Sequence, residues 1–152
     1  MGLDMYLMKR IKDPENEDVG YWRKANAIHG WFVENVQNGN DDCGEYRVTK
    51  EQLIELLELC KKVKEASKLI DGQVHNGTRY SKEKGREEII EDGKVIEDST
   101  TAVELLPTRS GFFFGSYDYD EYYLDDINLT IEILEKALRY PDDTRFYYQS
   151  SW

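Results

Sequence analysis

The chain has 152 residues, of which 39% are hydrophobic and 12% aromatic, and its formal net charge at pH 7 is −11. This length predicts a single domain, residues 1–152, whose core is large enough to need no disulfide or metal staple. The acid excess argues against nucleic acid as a direct ligand, because a phosphate backbone is bound by concentrated Lys and Arg.

Cysteine usage and hydropathy bear on the cellular compartment. Cys43 and Cys60 form no CxxC pair and are too few for a disulfide framework, so both are expected to be reduced thiols. The opening residues lack a basic leader followed by a long apolar run, and no stretch approaches the roughly 18 apolar residues of a membrane span. The sequence therefore predicts a cytoplasmic protein without membrane contact.

The first third of the chain is expected to form a strand, a turn and a helix. Alternation over Leu3–Met8 predicts the strand, and Asp13–Gly20 is a polar, proline-containing turn. Over Tyr21–Gln37 apolar residues recur every three or four positions, which predicts the first helix. Gln37–Tyr46 is expected to be a loop.

A second helix follows this loop. Thr49 and Gln52 have the spacing of a capping box, in which each side chain bonds the other residue's backbone amide. The apolar positions after them recur at helical spacing and end near Ser67–Gly72. The next segment, at about residues 71–86, is polar and punctuated by glycine, and is expected to be flexible.

A hairpin is expected after the flexible segment. Asp92 and Gly93 form a dipeptide that favours tight hairpin turns, because Gly accepts positive φ. The predicted strands are Glu87–Ile90 and Lys94–Glu97.

The C-terminal part is expected to contain the third helix and a final strand. Asp118 is placed to cap a helix that ends before Pro141, and Phe146–Trp152 alternates as a strand. The predicted fold class is α+β, with three helices packed on a small, mainly antiparallel sheet that includes both termini.

The third helix is strongly acidic. Tyr117–Asp143 contains nine Asp and Glu against two cations, a local net charge of −7. One interpretation is a solvated helix face, and the other is a ridge of carboxylates that binds a basic surface of a host protein. Neighbouring tyrosines favour binding, because Tyr is enriched at interfaces. The candidate partner-binding residues are Asp118, Glu121, Asp125, Glu132, Glu135, Tyr119 and Tyr122.

An alternative site lies on the first helix. Arg23, Lys24 and Asn26 could clamp a nucleotide-like anion, with His29 as a general base. The competing interpretation is that a single His on a mostly apolar face is a hydrogen-bonded core residue.

Motifs for metal, cofactor or covalent chemistry are not apparent. Asn38–Asp42 superficially resembles a calcium loop, but Cys43 stands where that loop needs Gly and Thr49 where it needs Glu. Ser110–Ser116 has glycines but lacks the lysine of a phosphate-binding loop, so core packing is the better interpretation. We expect no catalytic residues, no metal and no cofactor.

Four segments of the chain resemble a known family. The segments MGLDMYL, YWRKANAIHGWFVENVQNGNDDCGEY, LLPTRSGFFFGSYDYDEYY and YYQSSW are similar to a family of small proteins encoded by bacteriophages and prophages. The resemblance lapses between about Ala66 and Ala102. It implies phage origin and provides no activity or catalytic residue.

Phage accessory proteins of this size often act by binding a host component. The sequence therefore predicts a non-enzymatic, acidic accessory protein in the host bacterial cytoplasm. The most specific version of this prediction is an anti-CRISPR-like inhibitor or nucleic-acid mimic that occupies a nucleic-acid-binding surface of a host protein. The alternative is a protein that binds or processes a nucleotide-like anion at the first helix.

Overall fold

The computed structural model describes residues 2–12, 15–111 and 114–152. Across these residues the chain forms four helices and six strands. In chain order they are β1 (Asp4–Lys12), β2 (Glu15–Arg23), α1 (Asn26–Asn35), β3 (Tyr46–Val48), α2 (Lys50–Ala66), β4 (Leu69–Ser81), β5 (Gly85–Ile96), α3 (Thr100–Leu105), α4 (Glu121–Ala137) and β6 (Phe146–Ser151).

The strands form two antiparallel sheets. The larger sheet has the order β2-β1-β6-β3, and β4 pairs with β5 in a separate two-stranded sheet. β1 and β6 pair from Asp4 opposite Ser151 to Lys9 opposite Phe146. The expectation that one sheet includes both terminal strands is therefore confirmed.

The expectation of three helices on one sheet is wrong. The structure has a fourth helix, α3, and a second sheet. α3 is only six residues long, with Ala102 as its one buried residue, so it leaves almost no apolar periodicity in the sequence.

The core lies between the helices and the larger sheet. Leu3, which precedes β1, and Met5 and Leu7 of β1 are fully buried in this core. The ring of Phe32 in α1 stacks on that of Tyr148 in β6, with centroids 3.9 Å apart. Trp22 is also fully buried, and its indole N–H donates to the Thr130 hydroxyl of α4 at 2.8 Å. These contacts join α1 to β6 and α4 to β2 of the larger sheet.

The N-terminal turn and the start of the first helix differ from expectation. Glu15–Arg23 is strand β2, and α1 begins only at Asn26. Cross-strand hydrogen bonds to β1 hold Glu15–Arg23 in a strand conformation. Lys24, between this strand and α1, adopts a positive φ of 55°. Asp13 and Pro14 of the expected turn lie outside the described residues.

The hairpin is longer than expected and turns elsewhere. β5 runs through Asp92 and Gly93 without turning, and the chain reverses between Ser81 and Gly85. Gly93 lies opposite Gly72, where an added Cβ would stand 2.7 Å from Val74. Glycine therefore serves close packing inside the ribbon rather than a turn. The segment expected to be flexible, at about 71–86, forms most of β4 and the turn.

The cap of the third predicted helix is also displaced. Asp120, not Asp118, caps α4, and its carboxylate accepts from the backbone N–H groups of Tyr122 and Tyr123 at 3.0 and 3.1 Å. Asp118 bonds the hairpin instead. In the described part of the chain, no helix is long and apolar enough to cross a membrane.

Candidate functional site

The base of the β4–β5 hairpin is attached to the N-terminus of α4. The backbone N–H of Ile96 donates to the carbonyl of Tyr119 at 3.1 Å, and Val95 forms a β-bridge with Asp120. The backbone N–H of Lys94 donates to the Glu121 carboxylate at 2.7 Å. These bonds bring acidic residues of two separate segments onto one surface.

The acidic surface, as we name it, consists of Glu91 from β5 with Asp118, Glu121 and Asp125 from the α4 region. Glu91, Glu121 and Asp125 lie near Tyr122, whose side chain is 40% exposed, and Asp118 bonds His75 of the same hairpin. Partial burial raises the pKa of Tyr122, and the negative charges of Glu121, Glu91, Asp120 and Asp125 raise it further. The field at this ring is therefore anionic, which favours a cationic partner.

The predicted partner-binding residues have different roles in the structure. Asp118, Asp125, Glu132 and Glu135 are exposed. Tyr119 is half-buried, and its hydroxyl accepts from the backbone N–H of Thr108 at 3.0 Å, so it supports the local fold. Glu91 was not identified from sequence, because it precedes α4 by about thirty residues and only the hairpin brings it there.

His75 connects the hairpin to the acidic surface. Its Nδ1 bonds Asp118, and its Nε2 lies 3.1 Å from Glu88. The pKa of His75 is raised, mainly by its hydrogen bond to Asp118 and then by the charge of that carboxylate. Protonation of His75 therefore favours this attachment of the hairpin.

Asp126 has an environment unlike that of its exposed neighbour Asp125. Its side chain is half-buried and has no hydrogen-bond or ion-pair partner among the residues that the structure describes. Burial, followed by the charges of Asp125 and Asp120, raises its pKa to about 7. The ionised form is thus disfavoured in the folded protein.

We expect Asp126→Asn to stabilise the protein at pH 8 by about 1 to 3 kcal/mol and to change little at pH 4. Because the pKa of Asp126 is raised on folding, the wild type loses stability as pH rises from about 4 to about 7. The amide cannot ionise, so the variant avoids that loss. Urea unfolding at both pH values measures the difference. Glu132→Gln, an exposed change on the same helix, should have no such effect, and equal stability of Asp126→Asn and wild type at pH 8 would contradict the pKa assignment.

On the first helix, His29 belongs to a buried hydrogen-bond chain. Its ring is fully buried, with Nδ1 2.6 Å from the Tyr148 hydroxyl and Nε2 2.9 Å from Asp41. Burial lowers the pKa of His29 despite the opposing attraction of Asp41. The neutral ring therefore accepts from Tyr148 and donates to Asp41. The indole of Trp152 also donates to Asp41, at 3.0 Å.

The other predicted anion-binding residues contact separate parts of the protein. Arg23 pairs with Asp4 at 2.7 Å on the exposed edge of the sheet. The amide of Asn26 is buried and bonds three backbone groups, those of Phe114, Ser116 and Arg109. Lys24 is half-buried, and an added Cβ on Gly115 would stand 3.3 Å from its Cβ. The structure thus does not assemble Arg23, Lys24, Asn26 and His29 into one clamp.

Two clefts lie away from these residues. A cleft of about 590 Å³ lies beside the C-terminal end of β1, and another of about 510 Å³ lies between α1 and the segment after α3. Neither is lined by Arg23, Lys24, Asn26 or His29. Within residues 2–12, 15–111 and 114–152, no three His, Cys, Asp or Glu side chains are grouped to hold a metal ion.

The two loops considered for ligand chemistry form internal contacts. Asp42 accepts from the backbone N–H of Gly44 at 2.9 Å and from the Tyr46 hydroxyl at 2.7 Å. The neighbouring Asp41 bonds His29. In the second loop, Phe114 is buried against Gly111, which is the packing role expected for it. Phe112 and Phe113 lie outside the described residues.

Comparison of the chain with models of known protein families, with curated proteins and with solved structures finds no match.

Proposed function

We propose that this protein acts by binding a basic surface of another protein through the acidic surface, without catalysis. The observation that carries the proposal is the convergence of Glu91, Glu121 and Asp125 around the partly exposed ring of Tyr122, with Asp118 bonded to His75 of the same hairpin. Complementary charge raises the association rate and selects cationic partners, and an exposed tyrosine supplies contact area at low entropic cost.

The carboxylates continue beyond this cluster. Glu132 and Glu135 are exposed on α4, about two and three turns beyond Asp125 toward the C-terminus of the helix. A helix rises 1.5 Å per residue, so Asp125 and Glu135 lie roughly 15 Å apart along the axis. An acidic strip of this length suits a groove that otherwise holds a nucleic-acid backbone.

In the most specific form of this proposal, the partner is a nucleic-acid-binding component of a bacterial defence system. The protein inhibits this partner by occupying the surface at which it binds nucleic acid. The support for this form is the acidic strip together with the resemblance to phage-encoded proteins. Such a partner is cytoplasmic, so we propose the host bacterial cytoplasm as the place of action.

Neutralising the exposed acids is expected to slow association with the partner by about tenfold or more at low salt, while leaving the fold intact. The variant combines Asp125→Asn, Glu132→Gln and Glu135→Gln, whose carboxylates have no ion pair among the described residues. Exposed substitutions of this kind typically change stability by less than about 0.5 kcal/mol each. The measurement is association kinetics, at low and high salt, with the partner recovered by pulldown from host lysate.

A matched control separates the effect of the charges on α4 from the effect of the overall charge of the protein. Glu55, Glu58 and Glu65 are exposed on α2, and their replacement by Gln removes the same three charges from another surface. This variant should associate as fast as the wild type. Equal rates for all three proteins at low salt would make the α4 carboxylates a solvated face only.

A further inference from the structure

The outer part of the β4–β5 hairpin extends into solvent. Every residue from 76 to 92 is exposed except Glu87, which is half-buried. An isolated two-stranded ribbon is at best marginally stable in water, because it has no second layer against which to bury its side chains. A ribbon of this length therefore gains stability from any surface that covers it.

Large apolar side chains are concentrated on and beside this ribbon. Tyr80 is 76% exposed, Ile90 55% and Ile89 39%. Tyr117 and Tyr122, at the N-terminal side of α4 where the ribbon is attached, are 53% and 40% exposed. Apolar side chains at both ends of the ribbon can thus contribute to one extended contact.

The charge of the ribbon changes sign along its length. Residues 79–86 contain four cations and one acid, a net charge of +3 in a chain of net charge −11. Arg79 and Lys84 pair with Glu87, whereas Lys82 and Arg86 form no ion pair in the described part of the chain. The base of the ribbon lies against the acidic surface. One molecule therefore presents a cationic tip and an anionic base.

The separation between tip and base is set by strand geometry. Val74, buried at the base, and Ser81 at the turn are seven positions apart in the sequence, which corresponds to roughly 20 Å at the rise of a β-strand. When two such ribbons run antiparallel, the tip of each reaches the base of the other. Both charge contacts then form at once.

We propose that two copies of this chain associate in this way about a twofold axis, with the hairpin tip of each copy on the acidic surface of the other. A twofold arrangement makes every favourable contact twice, so individually weak charge pairs add. It also covers Tyr80 and Ile90, which lie on the same face of each ribbon because Tyr80 pairs with Arg86, four residues before Ile90 in β5. This association needs no other protein, but it uses the same acidic surface as the function proposed above, so dimerisation and partner binding compete for that surface.

A second copy fits the cationic tip better than nucleic acid does. Outside residues 79–86 the chain has a net charge of −14, and Glu87 and Glu88 follow the tip directly. A phosphate backbone at the tip would face this acid excess, whereas the acidic surface of a second copy offers the tip a discrete set of carboxylates together with exposed tyrosines.

Complementary charge reversal tests the proposal. One variant combines Lys82→Glu and Arg86→Glu at the tip, and the other combines Glu91→Lys and Asp125→Lys on the acidic surface. In sedimentation equilibrium at low salt, the wild type is expected to dimerise and each variant alone to dimerise at least tenfold more weakly. An equimolar mixture of the two variants should recover dimerisation, because the reversed tip then meets the reversed surface and the native tip meets the native acidic surface.

The control variant combines Lys61→Glu and Lys62→Glu, exposed lysines of α2, and should dimerise like the wild type. Circular dichroism verifies that every variant is folded. A wild type that stays monomeric up to millimolar concentration would overturn the proposal, as would two variants that fail to complement each other. A monomeric wild type that binds duplex DNA through Lys82 and Arg86 would likewise overturn it, in favour of nucleic acid.

Discussion

Deletion of residues 146–152 is expected to abolish cooperative unfolding. β6 lies between β1 and β3 in the larger sheet, and its Phe146 and Tyr148 are 4% and 0% exposed. Loss of a buried large aromatic costs about 3 to 5 kcal/mol, so two such losses match much of the roughly 5 to 15 kcal/mol stability of an ordinary domain. The unpaired edges of β1 and β3 add to this cost.

The measurement is thermal unfolding followed by circular dichroism. As a control, deletion of Ser151 and Trp152 alone keeps both buried aromatics and should retain a cooperative transition, with a lower melting temperature because the indole bond to Asp41 is lost. A chain without residues 146–152 that melts like the wild type would contradict the role of β6 in the core.

His29→Ala is expected to destabilise the protein by about 3 to 4 kcal/mol. The change leaves a cavity and removes the acceptor of the fully buried Tyr148 hydroxyl. The expected effect of Tyr148→Phe is smaller, about 1 to 2 kcal/mol, because the stack on Phe32 remains. Urea unfolding at pH 8 measures both. His75→Ala, at a side chain that is 41% exposed, should cost less than about 0.5 kcal/mol.

His29→Ala is also expected to change how the stability of the protein depends on pH. Burial lowers the pKa of His29, so the neutral ring stabilises the fold fully above the unfolded pKa of about 6.5. As pH falls below that value, the unfolded chain takes up a proton that the folded chain resists, and this stability is lost. His29→Ala should lack this part of the pH dependence. An unchanged pH profile of stability in the variant would rule out the assignment to His29.

Elements defined by short-range patterns were predictable from sequence. The capping box of α2 is present, with the N–H of Gln52 donating to the Thr49 hydroxyl at 3.2 Å and the N–H of Thr49 donating to the Gln52 side chain at 2.9 Å. Its partners are three residues apart, so the sequence alone contains the interaction. The alternation of Leu3–Met8 and of the C-terminal residues similarly predicted β1 and β6.

Errors arose where a local signal competed with a distant contact. Asp92-Gly93 is typical of a turn, but in the folded ribbon the side chains of Val74 and Glu121 approach Gly93. Glu121 also accepts from the backbone N–H of Lys94, which lies 27 residues earlier in the chain. Trp22 fits a helical period, yet cross-strand bonds place it in β2, opposite Met5. Tertiary contacts override propensity in such cases, because a buried contact outweighs a local preference of a few tenths of a kcal/mol.

The candidate site likewise combines features that follow from local sequence with features that depend on distant contacts. The acidity of α4 and the recurrence of Asp125, Glu132 and Glu135 along its exposed face follow from the order of residues, because helical periodicity depends only on spacing. The positions of Glu91 beside this helix and of His29 against Asp41 and Tyr148 follow from the packing of the folded chain. Those neighbours depend on how the hairpin, the loop after α1 and the last strand pack together, and no local pattern encodes contacts between residues so far apart in the chain.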